Sequence, residues 1–310
     1  RVPIYDPRIV PFQNISLSPA ACVFHYGAEV FEGLKAYRRP DGEVQLFRPW
    51  DNMERMKNSA IRLGLPVVPP EDALEAVKAL VKVDERWVPS DPGTSLYIRP
   101  FLYGTDAKLG LHGVHTAQFI IILSPVGSYF DHGMEPVKII VETEDVRAVR
   151  GGTGEAKCGG NYASALPWVL KAKEQYGANQ VLFCPNGDVQ ETGASNFALI
   201  QGNEIITKPL TDEFLHGVTR DSVLTVAKDL GYQVSERNFT VAEMKAAIEN
   251  GAEAILTGTA AVISPVTSFV IDGQEVAVQS TERGEAIRKA VTDIQYGISE
   301  DKHGWLVEVC

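Results

Sequence analysis

Short strand-like runs and amphipathic helices alternate along the whole chain without any repeat period, which reads as α/β, neither a regular doubly wound sheet nor a barrel. Val44 to Phe47 reads as a strand after the Asp41-Gly42 turn. Pro49 opens a helix on which Met53, Met56, Ala60 and Leu63 recur at helical spacing, and Gly64 and Pro66 close it. A second helix starts near Glu71-Asp72 and carries Leu74, Val77 and Val81 on one face. Ser95 to Phe101 and Thr116 to Leu123 read as strands flanking a loop, Gly104 to Gly113. Over Ser124 to Pro136 the apolar periodicity stops while Gly and Pro rise, as in a linker. Beyond it, strands at Val137–Glu142 and Gln180–Phe183 bracket a glycine-rich loop, Gly151 to Gly160, and a helix from Tyr162 to Tyr176 with Pro167 as a potential kink. A hairpin turns at Gly202-Asn203, between Asn196–Ile200 and Glu204–Thr207. A helix runs from Arg220 to Leu230, and Thr240-Val-Ala-Glu243 is a capping box opening another. Ala254 to Thr257 is a buried-type strand, and Ile287, Val291 and Ile294 line the last helix. The expectation is two α/β domains, 1–123 and 137–310, joined by a linker over 124–136.

At 310 residues, with 45% hydrophobic and 22% charged residues, the chain is long enough to bury its cores without disulfide or metal staples. Forty acidic against 29 basic residues give a net charge of −11, which argues against nucleic acid as a partner. The longest apolar stretch, Phe119 to Leu123, falls far short of the roughly 20 residues of a membrane span. Cys22, Cys158, Cys184 and Cys310 lie far apart with no C-x-x-C, so reduced thiols in a cytoplasmic protein are expected. The chain opens at Arg1 without Met, and the expectation is that a further segment, with any targeting signal, precedes it. His112 and His115 lack a Cys or carboxylate partner nearby, so no metal site is expected.

Of the 14 lysines, Lys157 stands apart, in a loop with five glycines between Gly151 and Gly160. A nucleotide-binding P-loop fails here, because Ala156 and Cys158 replace the Gly before the lysine and the Ser/Thr after it. The sharper reading is a Schiff-base lysine attacking an aldehyde, with Tyr162 in reach of a phenolic oxygen. A pyridoxal cofactor further demands an acid for its ring nitrogen and a cradle for its phosphate. Glu191, between a strand end and a hairpin, suits the first. His216-Gly-Val-Thr-Arg220 before a helix, with amides at Val218 and Thr219, and Gly258-Thr-Ala260 after a strand suit the second. Arg55 offers a cation. Tyr97 and Arg99, two apart on a strand, share a face on which a hydroxyl and a guanidinium can bind a carboxylate.

Taken together and in order, these motifs resemble the branched-chain aminotransferases, class IV aminotransferases of fold type IV. The resemblance covers almost the entire chain: His25-Tyr26, Phe31-Glu-Gly-Leu-Lys35-Ala, Phe47-Arg-Pro-Trp50, Asn52-Met-Glu-Arg55-Met, Ser95-Leu-Tyr97-Ile-Arg99-Pro, Gly159-Gly-Asn-Tyr162, the Glu191 segment, Gly217-Val-Thr-Arg220, Gly258-Thr-Ala260 and Gln295-Tyr-Gly297. It implies a smaller N-terminal and a larger C-terminal domain with pyridoxal 5'-phosphate between them. Lys157 would carry the cofactor and shuttle the substrate proton. Glu191 would hold the ring nitrogen and Tyr162 the ring oxygen. Arg55, Val218, Thr219 and Thr259 would hold the phosphate, with Arg147 near the ring. Tyr26, Phe31, Tyr97, Arg99, Thr259 and Ala260 would receive the substrate. Many relatives carry Thr where Ala194 stands, and no role is placed there. The implied reaction is ping-pong transamination of L-leucine, L-isoleucine and L-valine with 2-oxoglutarate, in a homodimer closed by the Gly104–Val114 segment. Within the same fold the alternatives are a D-amino-acid aminotransferase or an aminodeoxychorismate lyase, relatives that lack the Tyr97-Ile-Arg99 arrangement. A nucleotide-binding or purely interacting protein is the alternative outside it, and would be colourless.

Overall fold

The computed structural model describes residues 6–127 and 137–309, and it divides the chain into two compact units. The first comprises Arg1–Ser128, Ala156–Gly160 and Gln295–Cys310; the second comprises Tyr129–Glu155 and Asn161–Ile294. The division differs from the sequence reading in two places. Ala156–Gly160 joins the first unit because Phe31 N–H donates to the Lys157 carbonyl at 3.0 Å and Lys157 N–H to Ser59 Oγ at 2.9 Å. The C-terminal segment joins it because its last strand, Leu306–Glu308, pairs antiparallel with Val44–Phe47.

The first unit begins with a one-turn helix α1 (Val23–Tyr26), followed by β1 (Glu29–Phe31), β2 (Leu34–Arg38) and β3 (Val44–Phe47). Helices α2 (Pro49–Arg62) and α3 (Pro70–Val83) come next, then β4 (Ser95–Gly104) and β5 (Ala117–Val126). Proline in the first turn starts both helices, where its missing N–H costs nothing. Their apolar faces (Met53 on α2; Leu74, Val77 and Val81 on α3) close over Leu34, Leu46, Leu96 and Ile98 of the sheet. β4 is the sheet's spine. One edge pairs with β5 over its full length, while the other pairs with β2 through Leu96–Ile98 and with β1 through Phe101–Tyr103. Glu32 and Gly33 occupy the break between β1 and β2, where Glu32 N–H still donates to the Pro100 carbonyl at 2.7 Å. β5 runs on to Val126, so Ser124–Val126, expected in a linker, are strand paired with Ser95–Tyr97; the rest of that expectation, over 128–136, falls outside the described residues.

The second unit holds β6 (Val137–Glu142), β7 (Gln180–Phe183), β8 (Asn196–Gln201), β9 (Glu204–Thr207), β10 (Gln233–Glu236), β11 (Glu253–Gly258), β12 (Val262–Ile271) and β13 (Gln274–Ala277). They form one mixed sheet ordered β10-β9-β8-β11-β12-β6-β7, with β13 added to β12. Four helices accompany it: α4 (Gly159–Tyr176, whose first two residues belong to the first unit), α5 (Val218–Asp229), α6 (Val241–Glu249) and α7 (Glu282–Gln295). Strand alternation sorts the core by face. Ile139, Leu182 and Phe269 pack with Met244 and Ile248 of α6, while their neighbours Ile140, Val181 and Val270 pack with Ala165 and Ala172 of α4. The capping box forms as expected, with Thr240 Oγ accepting from Glu243 N–H at 3.1 Å and Glu243 Oε2 accepting from Thr240 N–H at 2.8 Å. Helix α4 starts at Gly159, before the expected end of the glycine loop, because the Glu29 carboxylate accepts the Gly159 N–H and caps its first turn. Pro167 lies inside α4. Among the described residues, no helix is long and apolar enough to cross a membrane, and no group of three or more His, Cys, Asp or Glu could hold a metal ion.

Candidate active site

The first unit gathers the lysine and the expected carboxylate receivers around one aromatic ring. Phe31, at the end of β1, has Lys157 Nζ 5.0 Å from its ring centroid and the Arg99 guanidinium carbon 4.9 Å from it. Both contacts lie within cation–π range. Arg99 Nη2 donates to the Tyr97 hydroxyl at 3.1 Å, as their shared face on β4 predicted. Arg99 Nε is buried and, among the described residues, meets no acceptor. A buried cationic donor beside a phenol is the chemistry of a carboxylate site. Gly33 makes the arrangement possible, because a side chain there would run into the Tyr97 hydroxyl. Tyr26 stands elsewhere: it is exposed at the end of α1, and its hydroxyl accepts from Gly110 N–H at 2.6 Å. That contact ties α1 to the loop before β5.

Helix α2 carries Asn52, Arg55 and Ser59 toward this region. Arg55 Nε and Nη2 donate to the two oxygens of Glu32 at 2.7 and 2.9 Å, and Asn52 Nδ2 adds a third bond at 2.8 Å. Burial pushes the Glu32 carboxyl up, but Arg55, with the Lys157 charge and the Asn52 amide, outweighs it and leaves the carboxyl below its usual value.

The second unit builds an acid site and two backbone turns. Glu191 is buried between the end of β7 and the start of β8, and its Oε1 meets Arg147 Nη1 at 2.7 Å and Leu215 N–H at 3.2 Å. Its Oε2 accepts from Asn196 Nδ2 at 2.8 Å. Burial drives the carboxyl up to about 7, against the pull of Arg147, the Leu215 N–H, the Asn196 amide and Arg220. Arg147, expected near the ring, is itself buried and also donates to the carbonyls of Gly154 and Glu213, so it braces Glu191 and the glycine loop together. Asn196 has a second task. Its amide donates to the Leu215 carbonyl at 3.0 Å, and its Oδ1 fills the space that a side chain on Gly217 would need. Gly217 is the N-cap of α5, so Val218 and Thr219 stand in the first turn, where helix N–H groups favour an anion. Thr259 and Ala260 lie in the tight turn between β11 and β12, closed by Val262 at φ +64°, a left-handed backbone that a β-branched residue rarely adopts. Tyr162, partly buried, stands in the first turns of α4.

The donor set fits pyridoxal phosphate: an amine in a loop of small residues, a buried acid, and a helix N-terminus opened by a glycine on which a side chain would run into Asn196 Oδ1. The sequence of the whole chain agrees. The model of the family described as amino-transferase class IV matches residues 29–269. The chain belongs to the class IV aminotransferases. Pyridoxal phosphate is the cofactor of this family. Among its relatives, this aminotransferase is 47% identical to branched-chain-amino-acid aminotransferase 2 of Bacillus subtilis (strain 168), over 98% of this chain and 86% of that protein. It is 45% identical to a probable branched-chain-amino-acid aminotransferase of Streptomyces coelicolor, over 97% of this chain and 86% of that protein. Its fold is similar to the branched-chain amino acid aminotransferase of Escherichia coli, with TM-score 0.82 and 28% identity over 95% and 94% of the two chains.

Sequence reasoning missed the polar residues that brace this aminotransferase's site: Glu32, Asn52, Ser59 and Asn196. Glu32 carried a signal, since it is a charged residue between apolar Val30-Phe31 and Leu34. Asn196 carried one too, as an amide at the first position of a buried strand.

Proposed function

We propose that this aminotransferase transfers the amino group of L-leucine, L-isoleucine and L-valine to 2-oxoglutarate, giving the branched 2-oxo acids and L-glutamate. The observation that carries this reading is the Phe31 ring, with the Lys157 amine on it and the Tyr97–Arg99 pair beside it. An amine, an apolar wall and a carboxylate receiver suit an α-amino acid with an aliphatic side chain, and the same cationic receiver suits the second carboxylate of glutamate. Similar enzymes support both halves. One branched-chain amino acid aminotransferase of this fold has been solved complexed with 4-methylvaleric acid and with N-(5'-phosphopyridoxyl)-L-glutamate, and the Thermoproteus uzoniensis enzyme with norvaline.

When bound, pyridoxal phosphate supplies an aldehyde for amine capture and a ring that draws electrons from the α-carbon. The protein supplies the proton handling and the orientation. Lys157 Nζ takes the proton from the α-carbon and returns it as general base and acid. Glu191, braced by Arg147 and Asn196, would accept from the protonated ring nitrogen and keep that proton in place. Arg55 and the Val218, Thr219 and Thr259 turns hold the phosphate, and Tyr162 the ring hydroxyl. Tyr97 and Arg99 grip the carboxylate. Because one receiver serves donor and acceptor in turn, the kinetics are ping-pong. The working unit in this reading is a cytoplasmic homodimer, with the exposed Leu109 and Leu111 of the Gly104–Val114 segment turned to the partner subunit.

The test is stereochemical. L-leucine with 2-oxoglutarate should yield L-glutamate and the branched 2-oxo acid, and D-leucine should yield neither. Turnover of D-leucine alone, or no turnover of any branched donor, would overturn the proposal.

A further inference from the structure

Glu32 has no place in the reaction described above, yet it is fully buried and spends every oxygen contact on a few neighbours. It sits at the break between β1 and β2, where its own amide bonds to Pro100 and the chain gains nothing from a charged side chain. A buried ion pair is weak support for stability, because an apolar pair of similar volume often serves as well. What the pair does supply is orientation. Glu32 takes Arg55 side-on through Nε and Nη2, and Asn52 Nδ2 and Gly33 N–H, at 2.8 and 3.1 Å, fix the carboxylate that does so. One helical turn beyond Arg55, Ser59 Oγ holds the Lys157 N–H. The face of α2 that presents Arg55 is therefore the face that anchors the lysine loop.

We propose that Glu32 is a positioning residue for the cofactor's phosphate: it locks the Arg55 guanidinium in one plane and balances the positive charge that Arg55 and Lys157 bring to the same place. This rests on the proposed phosphate role of Arg55. Unpaired, an arginine side chain samples many rotamers, and fixing it at the moment of binding costs affinity. With Glu32 in place that ordering precedes binding. In the Glu32→Gln variant an amide N–H faces the Asn52 or Arg55 donors, so one of these contacts is lost and the guanidinium is held less firmly.

The experiment compares pyridoxal phosphate with pyridoxal, which lacks the phosphate, by measuring Kd for the cofactor-free wild type, Glu32→Gln, Glu32→Asp and Arg55→Gln. Glu32→Gln should weaken pyridoxal phosphate roughly 10- to 100-fold while pyridoxal stays within about twofold, on the scale of one charge-assisted hydrogen bond. Inorganic phosphate should also lose potency as a competitor. Glu32→Asp keeps the charge on a shorter arm and should fall between; it carries the same test if the Gln variant does not fold. Equal loss for both ligands, or no loss for either, would overturn the inference. The Arg55 arm separates the two claims. If Arg55→Gln leaves the preference for the phosphorylated ligand intact, the phosphate role of Arg55 fails; if it removes that preference and the Glu32 variants do not, Glu32 alone is excluded.

Discussion

Glu191 gives the most exacting test of the acid site, and the test needs no cofactor. Its carboxyl lies at about 7 in the folded chain against an ordinary 4.5, chiefly because burial outweighs Arg147 and the two hydrogen-bond donors. The folded state therefore binds the proton more tightly than the unfolded chain. The stability this contributes is fully present below pH 4.5 and is lost as the pH rises through about 7. A gap of two to three pKa units at about 1.4 kcal/mol each is roughly 3 kcal/mol in all. Between pH 5 and pH 8 most of it, roughly 2 to 3 kcal/mol, should disappear, since the unfolded carboxyl is already partly ionised at pH 5.

Glu191→Gln removes the titration while keeping the shape. Its amide meets the Asn196 donor unfavourably, but that penalty is the same at every pH. The measurement is the urea unfolding free energy of the cofactor-free wild type minus that of Glu191→Gln, from pH 5 to pH 8. The difference should fall by roughly 2 to 3 kcal/mol across that range. In parallel, an infrared carboxyl band titrating near 7 should be present in the wild type and missing from the variant. A flat difference, or a band already gone at pH 5, would mean that Arg147 holds Glu191 ionised and that burial has been overrated.

The Glu191→Gln holoenzyme should keep its cofactor but slow proton transfer by several orders of magnitude; near-normal turnover would reduce Glu191 to a structural role. Lys157→Ala should abolish transamination and the visible absorbance of the holoenzyme, and borohydride should fix the cofactor mass on the wild-type peptide containing Lys157; a label on another lysine moves the site. Active monomers by sedimentation at assay concentration would refute the homodimer. Mild peroxide followed by reductant should produce no reversible, disulfide-dependent loss of turnover. Cys22, Cys158 and Cys184 are each buried and free, and Ala261 and Ser264 stand after the Gly258-Thr-Ala turn.

Elements with strong local signals were legible in the sequence. A proline start and glycine stop located α2, an acidic first turn with apolar residues at helical spacing located α3, a capping box located α6, and Gly202-Asn203 located the β8–β9 hairpin. The strands that escaped are those whose pairing, rather than composition, makes them strands. β12 contains Pro265 and a register shift between Val266 and Ser268, yet lies between β11 and β6. β1 and β2 are interrupted by Glu32-Gly33 and are aligned only by the long edge of β4. The residues expected to touch cofactor or substrate were named from their chemistry: Lys157, Glu191, Arg55, Tyr97 and Arg99. Their braces were not, because a buried amide or carboxylate shows its purpose only once its partner is known.

Those braces follow one physical rule. Several site residues, Lys157, Glu191 and Thr259 among them, sit in turns that contain glycine, where the backbone can approach a ligand closely but where the entropy of the loose chain opposes a single geometry. Several of these turns are tied by a polar group from outside them. Ser59 of α2 holds the Lys157 amide and Glu29 of β1 the Gly159 amide. Arg147 holds the Gly154 carbonyl, and Asn196 at the start of β8 holds Glu191 while packing against Gly217. The Asn196 tie is the tightest coupling, since one amide fixes both the proposed ring acid and the turn before α5. Asn196→Ala should therefore loosen two functions at once. It should weaken pyridoxal phosphate more than pyridoxal, and it should also move the Glu191 titration, because the carboxylate loses one of its three donors. Loss of a donor to the charged form raises an acid's pKa, so the infrared band should shift above its wild-type midpoint. A variant that moves only one of the two readouts would show that acid and turn are set independently, and that the contact of Asn196 with Gly217 is packing alone.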